Sequence, residues 1–394
     1  MATATATQKP AAKKGTPVTR RPFVAGTREV DRAYYDTTVA LTAATQQLPV
    51  FDVPASGFVA GIYILVEATT AANVAVVTYG ANGPFNVIDT IRLNDVQNQP
   101  IIGPIDGWDL YVINKYGGYG NRNDPKLYSE YFALTGAGAG LGGSFAFTLR
   151  LPIEIARRDA VGSLPNKNNA ATFKVDLTLA ADATVYGVLP TANPNVRVRY
   201  QMYGYDDPSA TDMKGNAVSQ NPPGVNTTQY WQKQSYVMNA GAFNMRLQGL
   251  DSLIRGMVFT YVDSVGGRAT GETVFPDPLT IKYEGKEVVN RLRTVWRQMT
   301  CETYDLGRAH GGVMTAVVAN ETAGGRDNGV YPWMFHRDFT PAPGGETRLG
   351  YLPVSSATSI ELSGTIGGAT AGTLFVLVNK IIPAGGNPMV ITGR

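Results

Sequence analysis

The chain has 394 residues, 44% of them hydrophobic and only 16% charged, against roughly 25% charge in an ordinary soluble domain. That length suits two cores better than one, and the low charge implies either a neutral polar surface or much surface buried against partners. A single cysteine, Cys301, excludes an intrachain disulfide framework and Cys-rich zinc sites, and no apolar run approaches the roughly 20 residues of a membrane span.

The net charge of +3 is unevenly spread. Lys9, Lys13, Lys14, Arg20, Arg21 and Arg28 all precede the first acidic residue, Glu29. Taking those six from 34 basic residues leaves 28 against 31 acidic ones, so the remaining body carries −3. Residues 1–28 are rich in Ala, Thr, Pro and Lys without a hydrophobic period, which predicts an arm that is disordered or extended until bound. Such an arm suits anionic head groups, nucleic acid or an acidic patch on a neighbouring subunit. It lacks the apolar stretch of a secretory signal, so the chain is expected to remain in the cytoplasm where it is made.

From Tyr34 onward, short β-branched and aromatic runs separated by turn residues predict strands at 34–41, 47–53, 58–68, 85–93 and 108–114. Between 121 and 134, Asp124 suits an N-cap and Pro125 a first helical position. Leu127, Tyr128, Tyr131 and Phe132 share one helical face, so a short helix is expected there. After a glycine-rich loop at 136–143, clean alternation predicts strands at 145–151, 173–179 and 196–202. The polar Pro/Gly-rich stretch 206–228 reads as a linker.

The second half follows the order of the first. Phe58–Val66 has a twin in Leu253–Tyr261, with Gly61 and Gly256 placed 195 positions apart. Tyr230-Trp231 corresponds to Tyr34-Tyr35, Thr280-Ile281-Lys282 to Thr90-Ile91-Arg92, and Ala357-Thr358 to Ala171-Thr172. A second helix is expected from about 285 to 300. Val288, Leu292, Val295, Trp296 and Met299 lie on one face, with Arg291, Arg293 and Arg297 mainly on the other. Gly61 and Gly256 are read as structural markers of a duplication, at equivalent points where a strand bends or another backbone comes close.

About eight short strands and one helix per half give an all-β fold of two fused eight-stranded jelly-roll β-sandwiches, in preference to seven-stranded immunoglobulin-like domains. The expected division is a basic arm (1–28), first jelly roll (29–205), linker (206–228), second jelly roll (229–381) and C-terminal extension (382–394).

Candidate chemistry is sparse. The two histidines, His310 in a glycine-rich stretch and His336 in an aromatic one, fit loop and packing positions better than a catalytic pair. Cys301 reads as a small buried residue near a helix end. No metal-ligand spacing stands out, Asp206-Asp207 precedes Pro208 as a turn initiator, and Gly117-Gly118-Tyr119-Gly120 lacks the lysine and hydroxyl of a phosphate loop. No catalytic, cofactor or metal residue is expected. The slightly acidic body also argues against sequence-specific nucleic-acid binding.

The run PFNVIDTIRLNDVQNQP followed by GWDLYVINKYG resembles the first jelly roll of tectivirus major capsid proteins, which form the shells of tailless icosahedral bacteriophages with an internal membrane. Leu151-Pro152-Ile153-Glu154 leading into DAVGSLPN at 159–166, the arginine-bearing second helix and Gly329-Val330-Tyr331 are similar to that family too. The resemblance implies a double jelly roll standing upright on the capsid surface. It further implies a homotrimer with a pseudo-hexagonal footprint and an icosahedral shell around a membrane and a double-stranded DNA genome. Neighbouring capsomers, penton or vertex proteins and minor capsid proteins would be its partners, and the virion its location. The arm (Lys9, Lys13, Lys14, Arg20, Arg21) would contact the inner membrane or a neighbour. A carbohydrate-binding or host-attachment double β-sandwich, and a glycan-cleaving enzyme with paired carboxylates, are the competing readings.

Overall fold

The computed structural model describes residues 19–21, 23–71, 76–119, 124–136, 142–209, 211, 218–220, 227–306, 325–335, 339, 350–354, 358–368 and 371–382. In the first half the main elements are β1 (Glu29–Ala40), β2 (Phe58–Thr69), β3 (Ile88–Asn94), β4 (Pro100–Ile105), α1 (Gly107–Tyr116), β5 (Phe145–Pro152), β6 (Lys174–Leu179) and β7 (Asn195–Tyr205). In the second half they are β8 (Thr228–Met238), β9 (Gly241–Arg246), β10 (Ser252–Asp263), α2 (Arg268–Val274), β11 (Leu279–Tyr283), β12 (Lys286–Arg291), α3 (Arg293–Tyr304), β13 (Val330–Met334), β14 (Ile360–Ile366) and β15 (Gly372–Ile382).

Each half pairs its strands in the same way. In the first, β1-β7-β2-β5 form one antiparallel sheet, while β4-β3-β6 form the other with Gln46–Gln47 and Phe51–Asp52 along its far edge. In the second, β8-β15-β10-β13 and β9-β14-β11-β12 repeat the arrangement. Counting the split Gln46–Asp52 strand as one, each half has eight strands in jelly-roll order and one helix of ten or more residues between its fifth and sixth strands. The chain is a double jelly roll.

Alternation explains the cores. Ile62, Ile64 and Val66 of β2 face Ile91, Leu93, Val175 and Leu177 across the first sandwich. Met257, Phe259 and Tyr261 of β10 face Ile281, Leu362 and Trp296 in the second. The two cores meet: Trp231, Val258, Val330 and Leu377 of the second half pack into the first cluster.

Three expectations about local structure change. Residues 108–114 are not a strand; they lie in α1, whose ten residues are all buried. The helix expected at 121–134 is only a 3-10 turn at Pro125–Leu127, although Asp124 does cap it through the Lys126 amide. The helix expected over 285–300 is divided, with β12 first and α3 beginning at Arg293. With these corrections the two helices become equivalent: β4 and β12 both have six residues, and Pro100 to Lys286 and Gly107 to Arg293 are both shifts of 186 positions.

The ladders also fix the duplication's register. Ala40 and Met238 end β1 and β8 opposite Asn195 and Gly372, the first residues of β7 and β15. With the core-facing rungs matched, Tyr35, opposite Tyr200, is level with Gln234, opposite Val376. Tyr34-Tyr35 therefore do not match Tyr230-Trp231. A backbone irregularity between Tyr200 and Gln201 helped to hide this shift from the sequence.

Candidate functional site

Among the described residues, no catalytic constellation organises the molecule. Its most elaborate side-chain architecture is the junction between the two jelly rolls, and it begins with main chain. β4 runs parallel to β8 at Ile102 and Trp231, joining one sheet of each half into a ten-stranded sheet. The Trp231 Nε1–H donates to the Tyr119 hydroxyl at 2.9 Å, which donates to Gln229 Oε1 at 2.8 Å. Gln229 Nε2 in turn donates to the carbonyls of Ile153 and Glu154. Arg255 reaches across from β10 to the Gly117 carbonyl at 2.9 Å, and the Tyr304 hydroxyl donates to the Tyr116 carbonyl at 2.7 Å.

α1 supplies the charged part. Its N-terminus is closed by a capping box between Asp106 and Asp109. Lys115, fully buried, lies 2.8 Å from both Asp124 and Asp327, and the Tyr116 hydroxyl donates to Asp327 at 2.9 Å. Burial works against charge on both groups, but each is overruled by its partner. Lys115 titrates above the ordinary lysine value because Asp327 and Asp124 face it, and Asp327 below the ordinary aspartate value because Lys115 does. Arg268 of α2 lies 3.6 Å from the Trp108 ring centroid and donates to the Ala81 carbonyl at 3.1 Å. Such a buried network of hydrogen bonds and ion pairs favours one relative orientation of the sandwiches.

At the rim, Lys233 of β8 bridges Asp109 at 2.6 Å and Asp106 at 3.0 Å. Burial, then the neighbouring Asp106 charge, push the Asp109 carboxyl up to about 7, against the pull of Lys233. The folded chain thus holds a proton that the unfolded chain releases near pH 4. The contribution of this group to stability falls as pH rises between those values and levels off above 7. Asp109→Asn is expected to remove this slope, at most about 1.4 kcal/mol per pH unit, in urea unfolding measured from pH 4 to 8.

The predicted marker glycines lie on the central strands β2 and β10, each beside an irregularity in pairing to β7 or β15. Ile62 and Met257, the residues that follow these glycines, each face the core of their own sandwich. At Gly61 the close neighbour is a side chain: an added Cβ would lie 2.4 Å from the Tyr203 hydroxyl oxygen. At Gly256 it would lie 2.2 Å from Met334 Sδ and 3.1 Å from the Trp333 carbonyl oxygen. Gly61→Val is expected to cost about 1–3 kcal/mol through overpacking on Tyr203, readable as a lower urea midpoint.

Lys9, Lys13 and Lys14 lie outside the described residues, as do His310 and His336. Arg20 and Arg21 belong to a short strand, Thr19–Arg21, parallel to Val218–Gln220 of the linker region. Just after it, Phe23 is buried edge-on against Phe58 and Tyr205. The last third of the expected arm is therefore folded onto its own chain, because Phe23 supplies an apolar anchor. Cys301 is half-buried in α3, not enclosed. Gly117 closes α1 and serves the junction through its carbonyl. Asp207 pairs with Lys167. Among the described residues, no group of three His, Cys, Asp or Glu side chains could hold a metal, and no helix is long and apolar enough to cross a membrane.

No protein-family model and no curated sequence relative matches the chain. Solved structures do. The major capsid protein of STIV superposes with a TM-score of 0.56 at 12% identity, covering 90% of this chain and 97% of that one. A chain of the PBCV-1 virus capsid gives 0.54 at 14%, covering 93% and 96%. The major capsid protein of bacteriophage PM2 gives 0.51 at 8%, covering 91% and 100%. Its fold is that of the double jelly-roll viral capsid proteins. Near-complete coverage in both directions means that the match extends over both sandwiches, not one alone.

Proposed function

We propose that the chain is a viral major capsid protein. It forms a homotrimer whose six jelly rolls make a pseudo-hexagonal capsomer, and capsomers tile an icosahedral shell around an internal membrane and a double-stranded DNA genome. The observation carrying this reading is the duplicated jelly roll locked by a buried junction, matched end to end by capsid chains. Two similar but non-identical sandwiches per chain let three copies approximate six-fold packing, and low charge suits wide obligate interfaces.

In this reading the functional divisions are the arm (1–28), the two jelly rolls (29–205 and 229–381), the linker (206–228) and the extension (382–394). The partners are neighbouring capsomers, vertex and minor capsid proteins, and the inner membrane reached through Lys9, Lys13, Lys14, Arg20 and Arg21. The protein is synthesised in the host cytoplasm, has no enzymatic activity and needs no cofactor. With Thr19–Arg21 paired to the linker region, the 18 residues before it could span at most roughly 60 Å. Deleting residues 1–18 is expected to weaken shell or vesicle association, read by co-sedimentation, while the trimer survives. A trimer that falls apart on this deletion would reassign the arm. For the capsid reading itself, light scattering of the purified protein should give trimers, and electron microscopy closed shells or hexagonal arrays. A strict monomer under all conditions would sink it.

A further inference from the structure

In each half the long helix is tied to the fourth strand of one sheet, α1 to β5 and α3 to β13. Asn114 of α1 closes that contact in the first half. Its side-chain amide donates to the Arg150 carbonyl at 2.8 Å, and its Oδ1 accepts from the Arg150 amide at 2.8 Å. The space left there is about 40 Å³.

The residue 186 positions on is Thr300, whose side chain is too short for that bridge. Its hydroxyl donates instead to the Trp296 carbonyl of its own helix at 2.9 Å. α3 is tied to β13 one turn earlier, where the Trp296 Nε1–H meets the Pro332 carbonyl. Beyond that point a cleft of about 380 Å³ opens, with Met299 and Thr303 on one side and Trp333, Met334 and Phe335 on the other. That volume falls within the range of small-ligand sites. Arg291, the last residue of β12, stands in its wall with the guanidinium 4.3 Å from the Trp333 ring centroid and 5.9 Å from that of Trp296. The next arginines along the chain have carboxylates: Arg293 pairs with Asp277 and Arg297 with Glu272. Among the described residues Arg291 has none, and the cleft walls carry no acidic side chain. Burial pulls this guanidinium below the ordinary arginine value.

We propose that this cleft binds a medium-chain fatty acid, with Arg291 on the carboxylate and the acyl chain lying between α3 and β13. Charge selects an anion, because a half-buried guanidinium without a counter-ion gains a charge-assisted, two-pronged hydrogen bond from a carboxylate. A guanidinium held over a ring keeps its edge N–H groups for that purpose. The walls select a flexible chain over a flat ring. Arg291 already covers one face of Trp333, and Trp296 is boxed edge-on by Phe259, Phe275 and Tyr331. What remains are ring edges and the thioethers of Met299 and Met334, which adapt to a methylene chain. Nothing in this site depends on how copies of the chain assemble, since the gap left by Thr300 lies within one chain.

The test is isothermal titration calorimetry of the purified full-length chain with dodecanoate and with dodecanol, both kept below the concentrations at which they aggregate. Dodecanoate is expected to bind once per chain. Dodecanol, of equal length without the charge, should bind at least about ten-fold more weakly. Arg291→Gln should remove that preference by weakening dodecanoate alone. The comparison of the two ligands on the native chain stands whether or not the variant folds. Equal affinity for both ligands overturns the proposal, and so does the lack of saturable dodecanoate binding. An Arg291→Gln chain that keeps the native preference overturns it as well.

Discussion

Lys115→Met is expected to destabilise the protein by about 3–5 kcal/mol, because it strips the cation from two carboxylates it neutralises inside the junction. Asp327 has no solvent exposure, so it cannot recover its hydration without opening the contact between the sandwiches. The pH dependence should change with it. In the native chain Asp327 is held below the ordinary aspartate value against the opposing effect of burial, so its contribution is present at neutral pH and is lost only as pH falls through that lowered value. Without Lys115, burial dominates and the folded Asp327 prefers its proton. The deficit is then largest at neutral pH and shrinks on acidification. Adding Asp327→Asn removes the stranded charge while keeping an acceptor for the Tyr116 hydroxyl, and should restore part of the loss. Urea unfolding of the single and double variants at pH 5 and 7 measures this. A single-variant loss under 1 kcal/mol at pH 7 would mean that the cluster does not hold the junction.

The strands were legible where one face meets a core and the other does not. Residues 173–179 and 196–202 alternate in sequence and in burial alike. α1 was misread because its surroundings erase the signal used to find helices. Buried on every side, Trp108-Asp109-Leu110-Tyr111-Val112-Ile113 has no polar face, and its β-branched and aromatic content mimics a strand. The recoverable clue was Asp106 three residues before Asp109, a reciprocal cap just ahead of an apolar run. Around residue 124 the opposite happened: a correct capping signal preceded a single 3-10 turn, since a cap sets where a helix begins and not how long it runs.

The junction was not legible. Lys115 reads as an ordinary helix lysine, and Asp327 lies in the other half of the chain; only the fold makes them neighbours. The duplication was visible, and its offset of 186 was already present in the Ala171-Thr172 and Ala357-Thr358 match. What the sequence could not show is that equivalent segments have opposite fates, β4–α1 enclosed and β12–α3 open. Apolar residues at 288, 292, 295 and 299 suggested one face packed on the chain's own core. Of that set with Trp296, only Trp296 is.

That division of α3 makes Trp296→Ala the second large effect, with an expected loss of about 3–5 kcal/mol. Trp296 is buried edge-on against Phe259 and Tyr331, and its Nε1–H donates to the Pro332 carbonyl at 2.9 Å. Truncation opens a cavity between α3 and the second core and leaves that carbonyl without its donor. Leu292→Ala, one turn earlier on the open side, should change unfolding of the isolated chain by no more than about 0.5 kcal/mol. Urea unfolding separates the two: Trp296→Ala lowers the midpoint directly, whereas Leu292→Ala leaves it unchanged. Equal loss of midpoint in both variants would mean that Leu292 supports the fold.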